Sequence, residues 1–411
     1  MTSLVGLLRG NRNYRYMWMG QVVSEAGDYF NNVAVLALVM AKSGSGMVVS
    51  GVFLSRAIPA VLAGPIAGVM LDRFDRRRIM MASDLIRAVV AAAFVLTVHQ
   101  QRPWLLYLLS ATLMFVSPFF TAGRAAILPS IATQEEIHAA NSLTQTTSWA
   151  TLTAGTLLGG LGAEKLGYDA AFVLNAVSFL FSAWCIWRMA WRPVPSPAAL
   201  KGSGAREFVD GLRYIGSVPL MVGIAMISFG WALGGGAAQV LFALFGEQVF
   251  HRGAAGIGDI WGFAGIGLLA GGAMGHVVGR RAGFRGYKRA VTVSYLVHGA
   301  AYMLFSQTGS FGAALVLMTV SRVGMAVTSV LNNSQLLRHA AAQYRGRVFA
   351  TLEALRNAVM IVSMAAAGIA SQYAGPRTIG LVAGACGTLT ALVWAWMDAT
   401  GHLPEPEGKI R

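Results

Sequence analysis

Charge is scarce in this sequence. Asp, Glu, Lys and Arg make up 12% of the 411 residues, about half the share in an ordinary soluble domain. Apolar residues make up 55%, and a soluble exterior could not hide that much apolar surface. Acids are the scarcer sign, 17 against 32 lysines and arginines. Cysteine is almost absent: Cys185 and Cys386 each sit inside an apolar run with no CxxC spacing, which excludes a disulfide framework and leaves both as expected packing residues. There is no GxxxxGKS loop, so ATP is not the direct drive. There is no HExxH, no zinc spacing among seven scattered histidines and no GxSxG elbow. No cofactor, metal or enzymatic activity is expected.

What remains is long apolar runs. Mean hydropathy is +0.58, and a spanning helix needs about 20 apolar residues. Twelve such runs lie at roughly 16–40, 46–71, 79–100, 104–124, 141–163, 168–190, 219–244, 253–278, 287–307, 310–333, 347–373 and 376–398. The expected fold is an all-α membrane protein with twelve transmembrane helices in two pseudo-symmetric six-helix halves. Residues 1–190 form the first half and 219–398 the second. Between them, 191–218 is a cytosolic linker, and 399–411 is a cytosolic tail. The linker ends in REFVDGLRYI, which suits a short interfacial helix with Phe208, Leu212 and Ile215 on one face. MTSLVGLLRGNRNYRYMW carries three arginines, but the run after it holds Glu25 and Asp28 with no convincing cleavage site, so no cleavable signal is expected.

The net charge of +15 could suit nucleic acid. The basic residues, however, lie in short clusters between apolar runs, as membrane anchors do, and no nucleic-acid partner is expected. With the N-terminus placed in the cytosol, 23 of the 32 lysines and arginines fall on the cytosolic side, five outside and four within runs. That bias predicts both termini in the cytosol. A weak repeat at an offset of 207 aligns Gly68–Arg73 with Gly275–Arg280, each closing an even-numbered run before a basic turn. Two repeated halves are a transporter architecture.

One turn stands out. GVMLDRFDRRR, residues 68–78, ends the second run, and six of the seven residues after Leu71 are charged. The pattern Gly68-x-x-x-Asp72-Arg73-x-x-Arg76-Arg77 resembles the signature loop of the major facilitator superfamily. With Asp75 in place of the usual glycine, it is similar to the branch of the enterobactin exporter and macrolide efflux pumps. Leu8-Arg9 to Trp18, Gly27-Asp28, Arg56-Ala57-Ile58-Pro59, Arg124 to Pro129, Ala140-Asn141-Ser142-Leu143 and Tyr344-Arg345-Gly346-Arg347-Val348 support that branch. The resemblance covers nearly the whole chain. It implies that Asp72 latches a cytosolic gate against the start of the eleventh run. Gly68, Arg73, Arg76, Arg345 and Arg347 would belong to that gate, as would Arg124, unless Arg124 serves only as an anchor. The physics agrees: arginines anchor, acids do not, and a helix N-terminus attracts a carboxylate by about 0.3–1 kcal/mol. Gly155-Thr156-Leu157-Leu158-Gly159-Gly160 is similar to the superfamily's antiporter motif, with Thr156 where proline is usual. Its glycines also suit plain close packing, as do Gly267, Gly271, Gly275 and Gly279.

Several charges lie inside runs. Gln21, Glu25, Asp28 and Asn32, spaced 4, 3 and 4, share one helix face, which lipid cannot receive. Each central acid costs about 2.5–3.5 kcal/mol on insertion scales. Glu25 and Asp28 are candidates for proton or substrate coupling, or for bracing a neighbour. Asp28 lies about 18 Å above the cytosolic end of the first run and Arg56 about 22 Å above that of the second, so an Asp28–Arg56 pair is expected. Arg56, Arg322 and Arg356 are candidate cavity cations favouring an anionic or phenolic ligand. Glu353 is expected to bridge Arg322, while Asp84 and Arg87 are expected nearer the cytosol with the gate. Of the aromatics Phe115, Phe119, Phe120, Trp149, Trp231 and Trp261, some should line an apolar cavity.

The resulting expectation is a proton-coupled exporter of a hydrophobic or amphipathic small molecule, such as a siderophore or drug. It would work as a monomer by alternating access in a bacterial inner membrane. Its partners would be that substrate, protons and the lipid bilayer. The alternatives are a mover of lysophospholipid-like substrates and a non-transporting receptor or assembly subunit.

Overall fold

A computed structural model describes residues 4–100, 103–190, 204–341 and 343–406. The linker residues 191–203 and the tail residues 407–411 lie outside it. Among the described residues the chain is helical, with no strand. The helices are α1 (Leu4–Gly10), α2 (Arg12–Ser43), α3 (Gly46–Arg73), α4 (Arg76–Ala93), α5 (Val95–His99), α6 (Pro103–Ile131) and α7 (Gln134–Arg188). Then follow α8 (Gly204–Ser217), α9 (Pro219–Leu244, continued by a π-helical turn Phe245–Val249), α10 (Gly253–Arg281), α11 (Phe284–Gln307), α12 (Phe311–His339), α13 (Arg345–Ala370) and α14 (Pro376–Ala399).

Local chemistry sets the ends. Asn11 accepts from the Tyr14 amide at 3.0 Å and starts α2, which stops at Gly44 in the left-handed conformation. Asp75, the second acid of the charged turn, accepts from the amides of Arg77 and Arg78 at 2.9 and 3.2 Å and starts α4. Gly167, with φ 82°, breaks α7 into two arms. Nine helices among the described residues are long and apolar enough to cross a membrane. At 32 and 24 residues, α2 and α11 are long enough as well, but too polar to be counted among the nine.

The chain forms two compact units. The first holds α1–α7 with residues 243–262; the second holds α8, the rest of α9 and α10, and α11–α14. Within the first, α2 lies against both arms of α7. A Cβ on Gly159 would sit 3.0 Å from the Phe30 Cα, and one on Gly27 would sit 2.7 Å from Asn175 Oδ1. Helix α3 packs on α6, and α4 packs on α6 and on the second arm of α7, where Phe94 meets Phe172 at 5.3 Å. The second unit repeats the scheme. Helix α9 lies against α13 and α14, α10 against α12, and α11 against α14. Gly267, Gly271, Gly275 and Gly279 all face α12, which makes the expected packing seam. Helix α8 seats on α13: Tyr214 stacks on Tyr344 at 4.6 Å, and Gly211 approaches the Arg347 carbonyl. Ile215 is buried there, while Leu212 of the same expected face is exposed.

The outer surface is apolar. Leu62, Val89, Val316, Val362 and Leu389 are each at least 60% exposed, which suits lipid and not water. The chain is a multi-pass membrane protein.

Candidate functional site

In the first unit the polar face of α2 meets three arginines. Glu25 is the most heavily engaged acid. Its Oε1 accepts from Gln21 Nε2 at 2.9 Å, Arg124 Nη1 at 3.0 Å and Ser148 Oγ at 3.2 Å, and its Oε2 accepts from Thr151 Oγ1 at 3.1 Å. The 4-residue step from Gln21 to Glu25 therefore places them together as helical spacing predicts. The guanidinium of Arg124, expected to serve the gate or as an anchor, pairs with Glu25 at 3.0 Å.

Asp28 does not pair with Arg56. Arg56 Nη1 donates to Asn32 Oδ1 at 2.6 Å. Asn32 lies one turn beyond Asp28, about 24 Å along the helix, closer to the height of Arg56. Asp28 instead faces Arg87 of α4 at 3.9 Å. Arg87 also donates to Asp84 in a short contact, and both are buried, Asp84 completely. Asp84 and Arg87, expected with the gate, are here a buried pair beside Asp28. Phe120 and Phe179 lie 4.8 and 4.3 Å from the buried Arg87 guanidinium, adding cation–π attraction. One guanidinium thus serves two carboxylates. Asp28 Oδ1 and Asp84 Oδ2 are buried without a hydrogen-bond partner.

The second unit has a different arrangement. Glu353 pairs with Arg356, one turn away on α13, and not with Arg322. The spacing of three lets the two satisfy each other without crossing to another helix. Arg322 lies deeper, 7% exposed, above the rings of Phe242 and Tyr302 at 5.4 and 5.9 Å, with Met325 Sδ at 3.5 Å. A cavity is lined by residues of α9, α11, α12 and α13. Its lining includes Trp231, Phe349, Ser329, Asn333, Glu353 and Arg356. Arg356 sits over the Trp231 ring at 5.4 Å, and Trp231 Nε1 donates to Met325 Sδ at 2.8 Å. The lining is amphipathic.

The expected gate residues divide between the units. Gly68, Asp72, Arg73 and Arg76 lie at the end of α3 and the start of α4. Arg76 donates to the carbonyls of Ala126 at 2.8 Å and Leu71 at 3.3 Å, while Arg77 donates to those of Ile186 at 3.1 Å and Trp187. Those two arginines tie the turn to the C-terminal ends of α6 and α7. Asp72 and Arg73 are exposed and form no ion pair with described residues of their unit. On α13, Arg345 donates to the Ala340 carbonyl at 3.0 Å, and Arg347 pairs with Asp210 of α8 at 3.6 Å.

Sequence reasoning missed Ser148, Thr151 and the role of Arg87. The hydroxyls carried no signal, because Ser and Thr are common in apolar helices. Arg87 did carry one, since an arginine within an apolar run is a functional candidate by default.

Comparison with known proteins agrees with this architecture. The model of the Major Facilitator Superfamily matches residues 17–363. The putative bacilysin exporter BacE of Bacillus subtilis (strain 168) is 26% identical over 347 residues, covering 83% of this chain and 84% of that protein. Macrolide efflux protein A of Streptococcus pyogenes is 31% identical over 125 residues, 29% of this chain and 30% of that one. The crystal structure of nucleoside transporter NupG superposes with a TM-score of 0.71 at 12% identity, over 94% of this chain and 99% of NupG. The fold and the relatives are those of transporters, not enzymes. With a family match over most of its length and efflux proteins among its relatives, the chain belongs to the major facilitator superfamily.

Proposed function

We propose that the protein is a proton-coupled exporter of an amphipathic small molecule, working by alternating access in a bacterial inner membrane. Twelve crossings follow if α7 counts twice, once on each side of Gly167, and α2 and α11 join the nine apolar spans. Both termini then lie in the cytosol, on the side richer in lysine and arginine.

The observation that carries the coupling is the shared guanidinium. Asp28 and Asp84 both face Arg87. With both acids ionised the trio carries one net negative charge. With one proton on either acid it carries none. In a site largely withdrawn from water an unbalanced charge is costly, so the two protonation states favour different packings of α2 against α4. A carrier can use such a difference to change its facing direction. Glu25 plays a separate part. Already bonded to Arg124 and two hydroxyls, it braces α2 against α6 and α7. Arg56, held by the neutral Asn32, remains able to answer a change at Asp28 one turn away.

The second unit's cavity supports this substrate class. Trp231 and Phe349 offer apolar faces, while Asn333, Glu353 and Arg356 offer polar ends, a lining suited to an amphipathic molecule. Asp72, exposed and unpaired within its unit, supplies the gate latch toward the positively charged start of α13.

Everted membrane vesicles test this reading. Challenged with anionic, neutral and cationic amphiphiles, the wild type should release protons for at least one class. Asp28→Asn and Asp84→Asn should each abolish that release while the protein remains in the membrane. Absence of a proton signal with every class, at good expression, would overturn proton coupling.

A further inference from the structure

The buried Arg322 is a cation whose charge nothing in its unit balances. It is 7% exposed, and its expected partner, Glu353, is engaged with Arg356. No acid forms an ion pair with it among the described residues. Its neighbours are the rings of Phe242 and Tyr302 and the sulfur of Met325. Ring faces and a thioether offer only weak compensation to a guanidinium removed from water.

Beside it lies a second, small cavity with room for about one water-sized guest, lined by residues of α9, α11, α12 and α14. It is smaller than a drug-sized pocket. Arg322, His298 and Tyr302 share its lining with glycines such as Gly234, Gly299 and Gly384, so the helix backbones leave the space and no bulky side chain fills it. Tyr302 is 3% exposed, and its hydroxyl is buried without a partner. A phenol can donate, and a guanidinium has five N–H groups and no acceptor. His298 turns its Nδ1 to Ser321, 3.0 Å from the carbonyl and 2.8 Å from the hydroxyl. No carboxylate lines this cavity. A fixed positive charge, a spare hydroxyl donor, no competing acid and limited room together select one kind of guest.

We propose that this cavity binds a small monovalent inorganic anion of chloride size, held by Arg322 and Tyr302 inside the second unit. The anion neutralises Arg322 and joins α11 to α12, independently of the direction or coupling of transport. A guest that binds only the folded state raises the unfolding temperature in a saturable way.

The purified full chain, exchanged into sodium gluconate, is titrated with sodium chloride, bromide or acetate at constant ionic strength while thermal unfolding is followed. The Tm of the wild type should rise saturably with chloride and bromide, and not with acetate, whose carboxylate stands in for a substrate's. Tyr302→Phe should raise the half-saturating chloride concentration by about tenfold or more, for loss of one hydrogen bond to an ion. Arg322→Gln should remove the response. If Arg322→Gln yields no folded protein, the Tyr302→Phe shift decides alone. Equal Tm in chloride and gluconate at every concentration would overturn the site. So would a saturable response left unchanged by Tyr302→Phe, which would place the anion elsewhere. A response to acetate as strong as that to chloride would also overturn it, by assigning the cavity to a substrate carboxylate.

Discussion

At the scale of single residues, Glu25 and Arg124 show how a membrane interior tolerates charge. The carboxylate takes four donors, and the guanidinium is one of them. Hydrogen bonds to charged groups contribute about 1.5–3 kcal/mol each, less where solvent reaches them, and both side chains are about one-fifth exposed. Glu25→Gln and Arg124→Gln should each lower stability by about 1–2 kcal/mol. The double variant should lose clearly less than the sum, because each single change strands the other's charge. Thermal unfolding of the four proteins measures this; strict additivity would mean the pair is no bridge. The polar face of α2 was legible in the sequence, because 4, 3 and 4 is a helical spacing that needs no tertiary knowledge. The partners were not. Which arginine reaches Asp28 depends on the heights and tilts of α3 and α4, and a rise-per-residue argument resolves height only to about one turn. One turn is the difference between Asn32 and Asp28.

At the scale of helices, glycine does two different jobs. Along α10 it forms a seam. A Cβ on Gly271 would lie 2.5 Å from the Val323 carbonyl oxygen and 2.8 Å from the Ala326 Cβ, both on α12. Those are backbone and core atoms that cannot move aside cheaply. Gly68, the first residue of the charged signature, has nothing within 4 Å of the same hypothetical atom in its unit. Gly271→Ala should therefore destabilise by about 1–3 kcal/mol through overpacking. Gly68→Ala should leave stability within about 0.5 kcal/mol, as surface changes do, and any loss of transport would then be a gate effect. Unfolding and vesicle transport of the two variants separate these outcomes. The seam could be read from a four-residue glycine repeat, since that period keeps one face. The α7 stretch around Thr156 could be read only in part. Its glycines do seat α7 on α2, with a Gly155 Cβ 2.9 Å from the Tyr29 Cβ. Thr156, where proline was usual, bonds back to the Leu152 carbonyl at 2.7 Å, a local tie that its spacing did not announce.

At the scale of the whole molecule, the asymmetry of basic residues is the ground for the proposed orientation. Lysine and arginine in short loops hold those loops in the cytosol, and the chain places 23 of them on one side and five on the other for the proposed topology. Three turns test each side: Phe74, Ala282 and Ala341 for the basic side, and Gly44, Gly309 and Ala374 for the other. The two native cysteines are inconvenient only for background, since Cys185 is buried and Cys386 partly so. In a Cys185→Ser, Cys386→Ser chain, single cysteines at the first three sites should react with a membrane-impermeant thiol reagent in everted vesicles and not in intact cells. Those at the last three should do the opposite. Complete reversal would overturn the orientation. A mixed pattern would instead overturn the number of crossings, and the first place to look would be α2 or α11, whose polar residues kept them out of the nine apolar spans. Those two helices carry the sharpest form of the problem. The side chains that make α2 a poor membrane span by composition, from Gln21 to Asn32, are the same ones that give it something to do there.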